Sequence, residues 1–198
     1  AHADDGQRAL EVARKKVEDV VEVAQAARAE SGATFVHFNA GYQREDRPEA
    51  TRSHGLNLAA AYVKAIREQV GGFIGVQVAP VLAHDFWKYD WLVALGTDHF
   101  SFCYEFHDPE YFAKYCPGKC GSLGQQTFFS ALEYTAGKLG KGAVSGEIIA
   151  GIEPVEATLD AIDYITSVGA FPTICIFRPL VGSLMEGYPS PAAEDMKR

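Results

Sequence analysis

Positive charge is scarce in this chain of 198 residues: 18 Lys and Arg stand against 26 Asp and Glu, for a formal net charge of -8. The basic residues are also dispersed, so there is no electrostatic footprint for nucleic acid or an anionic membrane, and neither is expected as a partner. No apolar run approaches the roughly 20 residues of a membrane helix. The opening Ala1-His2-Ala3-Asp4-Asp5 is not a basic stretch leading into an apolar one. A cytoplasmic location is the expectation. Cysteine is limited to Cys103, Cys116, Cys120 and Cys175, in a chain large enough to do without staples, so reduced thiols are expected. Cys116-Pro117-Gly118-Lys119-Cys120 lacks a second pair or nearby histidines and reads as a Pro-Gly turn flanked by thiols. No metal site is expected. A Gly-rich phosphate loop beside the first strand is missing as well, which argues against a doubly wound dinucleotide fold.

Apolar residues, at 47%, are sufficient for one core and one domain over residues 1–198. Apolar positions at three- and four-residue spacing predict helices over 5–31, 56–70, 86–95, 125–139 and 155–168. Short apolar or alternating runs predict strands over 33–39, 73–79, 99–106, 143–152 and 171–177. Residues 44–53 and 108–124 read as loops. Strands alternating with helices, with Gly at most helix exits, predict successive βα units. The expected fold is a partial (β/α) barrel with five parallel strands. The chain enters on a helix, so a preceding strand is expected to be missing. The sheet edge this would leave open is expected to favour a homo-oligomer.

In such barrels working residues come from the C-terminal ends of the strands. Alternation puts His37 and Asn39 on one face of the first strand, and the second carries Gln77 near its end. The third places Ser101, Cys103 and Glu105 on one face, with Phe100, Phe102, Tyr104 and Phe106 on the other. A carboxylate on a barrel's inner face is costly unless it binds something. Glu105 is therefore the leading candidate, the alternative being a pair with a neighbouring Lys or Arg. Gly146 and Gly151 mark close approach of a ligand or of backbone. Glu153, before Pro154, reads as a helix cap or loop brace. Arg178, at the last strand's end, either holds a carboxylate or forms an ordinary ion pair.

Ser145-Gly146-Glu147-Ile148-Ile149-Ala150-Gly151-Ile152-Glu153 resembles the GxIxGxxE segment of radical S-adenosylmethionine enzymes, those related to biotin synthase above all. Asn39-Ala40-Gly41-Tyr42, the Cys103/Glu105 strand, Asp108-Pro109-Glu110 with Cys116-Pro117-Gly118-Lys119, and Phe177-Arg178-Pro179-Leu180 fall in the order that resemblance requires. It implies a TIM-like barrel that binds S-adenosylmethionine. Asn39, Ala40, Gly41 and Tyr42 would meet the methionine amine, Cys103 and Glu105 the ribose, and Gly146, Ile148, Phe177 and Arg178 the adenine side. His37 and Gln77 would line the substrate cavity; no catalytic residue is assigned.

The family's CxxxCxxC motif, which holds a [4Fe-4S] cluster, is absent from these 198 residues. The resemblance would place it just ahead of the first helix, and the cluster is expected only where that motif is present. At the positions where biotin synthase supplies [2Fe-2S] ligands stand His37, Ala79 and Val144, which implies another small organic substrate. When complete, the protein would act by 5′-deoxyadenosyl radical chemistry with an electron donor as partner. As given, the chain is expected to be inactive. Two other classes stay open: a non-redox barrel lyase or isomerase using Glu105 and His37, and a cluster-free nucleoside-binding domain.

Overall fold

A computed structural model describes residues 15–39 and 56–197. The elements follow in order as α1 (Val17–Ser31), β1 (Phe35–Asn39), α2 (Leu56–Gln69), β2 (Phe73–Gln77), α3 (Trp87–Leu95), β3 (His99–Glu105), α4 (Pro109–Tyr115), α5 (Pro117–Ser122), α6 (Gln125–Leu139), β4 (Val144–Ala150), α7 (Val155–Ser167) and β5 (Phe171–Ile176). The five strands form one sheet in the order β1-β2-β3-β4-β5, every pair parallel. This is the expected α/β architecture, consistent with a partial β/α barrel.

The helices pack on one face of the sheet, α2 against β2, α6 against β3 and β4, and α7 against β4 and β5. The strand residues turned toward them are large and apolar. Ile74, Val76, Phe100, Phe102, Val144 and Ile148 are fully buried, each such side chain stabilising the fold by about 1.5–3 kcal/mol relative to exposure. Gly146 lies in this layer as well. A Cβ there would stand 2.9 Å from Cδ1 of Ile165, so this glycine lets α7 close onto β4.

The N-terminal ends of β2 and β3 are tied by one side chain. Arg67 of α2 donates to the carbonyls of Gly72 (2.9 Å) and Gly96 (2.5 Å) and pairs with Asp98 (2.5 Å). The same Asp98 oxygen accepts from the Ile74 amide at 2.9 Å. With this end held, variation is left to the opposite end, where βα loops build sites.

One expectation fails. Residues 108–124, read as a loop, contain α4 and α5. Asp108 caps α4, its carboxylate accepting from the amides of Glu110 and Tyr111 at 2.8 and 3.3 Å, and Pro109 takes the first helical position. Pro117 likewise opens α5, so Pro117-Gly118 starts a helix where a turn was expected. These helices are seven and six residues long, too short for a clear periodicity.

Candidate active site

The inner face of the sheet, opposite the helices, is layered. Toward the N-terminal ends of the strands it is aromatic. The ring centroids of Phe35 and Phe73 are 5.4 Å apart, those of His37 and His99 5.7 Å, and His99 stacks on Phe171 at 5.6 Å. Gly75 leaves room for this plug, since a Cβ there would lie 3.1 Å from both His99 and Phe35 ring atoms. The Ala143 carbonyl can only accept, so the His99 Nδ1 contact at 2.9 Å fixes the proton on that nitrogen, and Nε2 accepts from Ser145 at 3.4 Å. Burial lowers the pKa of both His37 and His99.

Above the plug the face becomes polar. Asn39 Nδ2 donates to Gln77 Oε1 at 2.8 Å. Gln77 Nε2 donates to Glu147 at 2.7 Å and also reaches the Cys103 sulfur. Cys103 donates to the same Glu147 oxygen at 2.7 Å, and Ser101 donates to the other. Residues of β1, β2, β3 and β4 are thus joined in one chain of hydrogen bonds. Burial, with Glu147 adding to it, pushes the Cys103 thiol well above its ordinary range, so it remains an S–H donor.

At the mouth, a cavity of about 180 Å³ is lined by Asn39, Gln77, Val78, Ala79, Cys103, Glu105, Lys119 and Phe128. Glu105 enters it from an unusual backbone. Its φ is +71°, and the β3–β4 register shifts between Cys103 and Glu105, a bulge at the strand's last residues. Lys119 Nζ donates to Glu105 Oε1 at 2.5 Å and to the Cys103 carbonyl at 2.7 Å. The alternative reading of Glu105, a pair with a basic neighbour, therefore describes what it does here. The ion pair occupies one carboxylate oxygen and leaves the other available.

The loop after β3 is held from a distance. Glu153 accepts from the amides of His107 and Asp108, both at 2.9 Å, and Gln125 donates to the carbonyls of Phe106 and His107 at 2.8 and 3.0 Å. Glu153 is 4% exposed, and burial raises its pKa. Of its two expected roles, it is a loop brace.

The remaining candidates are dispersed. Asn39, Gln77, Cys103 and Glu105 share the cavity; His37 lies below it, in the plug. Ile148 is fully buried on the helix side, and the space over Gly146 is taken by Ile165. Neither faces the cavity, because β4 alternation turns them outward. The space over Gly151 is filled by Pro191, so what comes close there is a proline ring. Phe177 continues the β5 pairing through its amide to Ala150 (2.9 Å), and Arg178 is exposed; neither lines the cavity. Ala40, Gly41 and Tyr42 lie outside the described residues.

Four residues of the site were missed in the sequence, Val78, Lys119, Phe128 and Glu147. Glu147 had a signal, since Ser145 and Glu147 alternate as Ser101 and Cys103 do. Phe128 had one in the buried stripe of its helix. Lys119 carries none when residues 108–124 read as a loop.

The donor set bears on the two groups that the resemblance implies. Among the described residues no group of three or more His, Cys, Asp or Glu is placed to hold a metal, and burial pushes the Cys116 thiol up to about 11. These residues do not fit an iron–sulfur cluster. The cavity, with a half-available carboxylate and an aromatic wall, fits part of a nucleoside. It is smaller than the roughly 300–1,000 Å³ that enclose drug-sized ligands.

No family model matches the sequence. Over 111 residues, 56% of the chain, it is 28% identical to bacteriochlorophyllide c C-7(1)-hydroxylase of Chlorobaculum limnaeum, of whose length the match covers 28%. Among the described residues no helix is long and apolar enough to cross a membrane.

Proposed function

We propose that this chain is the core of a radical S-adenosylmethionine enzyme acting on a small organic substrate, with the nucleoside entering at the C-terminal ends of β2 and β3. The observation that carries the reading is the strand-end cavity containing Glu105, held on a left-handed bulge and only half engaged by Lys119. A bulge of this kind re-aims a side chain at a site. Similarity to a hydroxylase is compatible with it, since hydroxylation at carbon requires a C–H bond to be broken.

In this reading Glu105 accepts from the ribose hydroxyls through the oxygen that Lys119 leaves open. Phe128 and the small side chains of Val78 and Ala79 supply the apolar wall and exclude water. Lys119, fixed to the Cys103 carbonyl, sets the direction of the carboxylate. Given one electron from a donor that these residues do not hold, which would release methionine, bound S-adenosylmethionine would supply hydrogen-atom abstraction from an unreactive carbon. No step is assigned to an iron–sulfur cluster from these residues. A lyase or isomerase using Glu105 with His37 finds less support, because His37 packs in the plug below the cavity.

The test is calorimetric titration of S-adenosylmethionine into the parent and Glu105→Ala. A carboxylate gripping hydroxyls contributes about 1.5–3 kcal/mol per charge-assisted bond, so the variant should bind at least about tenfold more weakly. Equal affinity would remove Glu105 from the site and with it the residue assignment.

A further inference from the structure

Glu147 has no place in the nucleoside reading, yet the polar side chains of the inner face converge on it. Its two oxygens accept three hydrogen bonds, from Ser101, Cys103 and Gln77, and donate none. That is the pattern of an ionised carboxylate, which is acceptor-only. All three partners are neutral. Among the described residues no Lys or Arg pairs with Glu147, and the cation at the cavity, Lys119, is engaged with Glu105. The imidazoles of His37 and His99 feel its charge, but burial outweighs that effect and lowers both. The described charges of the site are therefore Glu105 and Glu147 against Lys119, a net of one negative.

A half-buried carboxylate among neutral donors is costly, and a glutamine would make similar contacts without the cost. None of the described residues supplies the compensating positive charge, and a cationic ligand would do so. Glu147 does not itself line the cavity, but Gln77 and Cys103 do and both donate to one of its oxygens, so a cation that displaces the Cys103 thiol from the cavity side would meet that oxygen. Of the three donors the thiol is the weakest, and it is the one a stronger donor displaces. Val78, Ala79 and Phe128 give the entrance apolar walls, and the volume of about 180 Å³ admits a short aliphatic stem.

We infer that Glu147 anchors the substrate through a protonated primary amine on a short aliphatic stem. This rests on the reading that the cavity is where the substrate meets the enzyme, and it names the substrate's chemical class.

The experiment is a titration of the full chain with n-butylammonium chloride, n-butanol and sodium butyrate. It follows the Gln77 side-chain amide and the backbone amides of Ser101, Cys103 and Glu147 by NMR. The ammonium should bind at least tenfold more tightly than the alcohol, butyrate should not bind, and Glu147→Gln should abolish the preference. Cys103→Ala, which frees an acceptor site on Glu147, should tighten the ammonium and guards against a Glu147→Gln chain that does not fold. Equal binding of ammonium and alcohol, or a preference that survives in a folded Glu147→Gln, overturns the proposal, as does Cys103→Ala without tighter binding. Repeating the titration with saturating S-adenosylmethionine separates two sources of the amine. Simultaneous binding supports a separate substrate, whereas mutual exclusion assigns Glu147 to the amine of S-adenosylmethionine and overturns the substrate proposal. Ammonium binding without any S-adenosylmethionine binding would defeat the nucleoside reading alone and leave the anchor standing.

Discussion

Glu105 is the non-glycine residue with positive φ among those described, at +71°, and the cost of that backbone can be measured apart from the side chain's chemistry. Glu105→Ala and Glu105→Gly both remove the carboxylate and the Lys119 pair, so the difference between them reports the backbone. Left-handed geometry costs an L-residue about 1–2 kcal/mol and glycine nothing. Glycine brings back a penalty of about 0.4–1 kcal/mol through the greater freedom of the unfolded chain. At the middle of these ranges the glycine variant should therefore be the more stable of the two by about 0.8 kcal/mol, a Tm difference of about 2–3 °C for a chain of this size. Parallel urea and thermal melts, read by far-ultraviolet circular dichroism, provide the measurement. An alanine variant as stable as the glycine variant would show that the backbone relaxes once the carboxylate is gone. The bulge would then be a consequence of the Lys119 pair, not a geometry built into the strand end.

Gly146→Ala should destabilise by about 1–3 kcal/mol, because its Cβ would crowd Ile165 at 2.9 Å in a buried layer; Ile165→Val in the same chain should recover part of the loss in urea melts. Burial holds His37, His99 and His107 below their ordinary pKa of 6.5, so the unfolded chain takes up protons first as pH falls. Their contribution to stability is complete above about pH 6.5 and is lost progressively below it, and His99→Gln should flatten the dependence of the urea midpoint between about pH 7 and 5. Ile174 and Ile176 are 43% and 60% exposed on β5, the end strand of the sheet among the described residues. We propose that this edge, at the opposite end of the sheet from the β1 edge that the sequence leaves open, supports self-association, and Ile176→Lys should lower the mass seen by light scattering at high concentration.

The order and type of the main elements were legible because each rests on a local period. Phe100, Phe102 and Tyr104 alternate with Ser101 and Cys103, and one face had to be buried whichever neighbours supplied the cover. The stripe on residues 125–139 placed that helix at the bounds observed. The ends of α4 and α5 were written locally too, in Asp108-Pro109 and Pro117, but the helices between these signals are shorter than a period can mark. What the sequence by itself determined was therefore the alternation of strand and helix and, within each strand, which residues share a face. Contacts between strands were decided by tertiary structure alone, because register depends on where the helices let each strand lie. Ser101, Cys103 and Gln77 come to Glu147 from 44 to 70 positions away, and no local spacing encodes that meeting. Lys119 reaches Glu105 only because α5 folds back over the end of β3, and the same closeness in space turns an ordinary glutamate into one whose free oxygen faces a cavity.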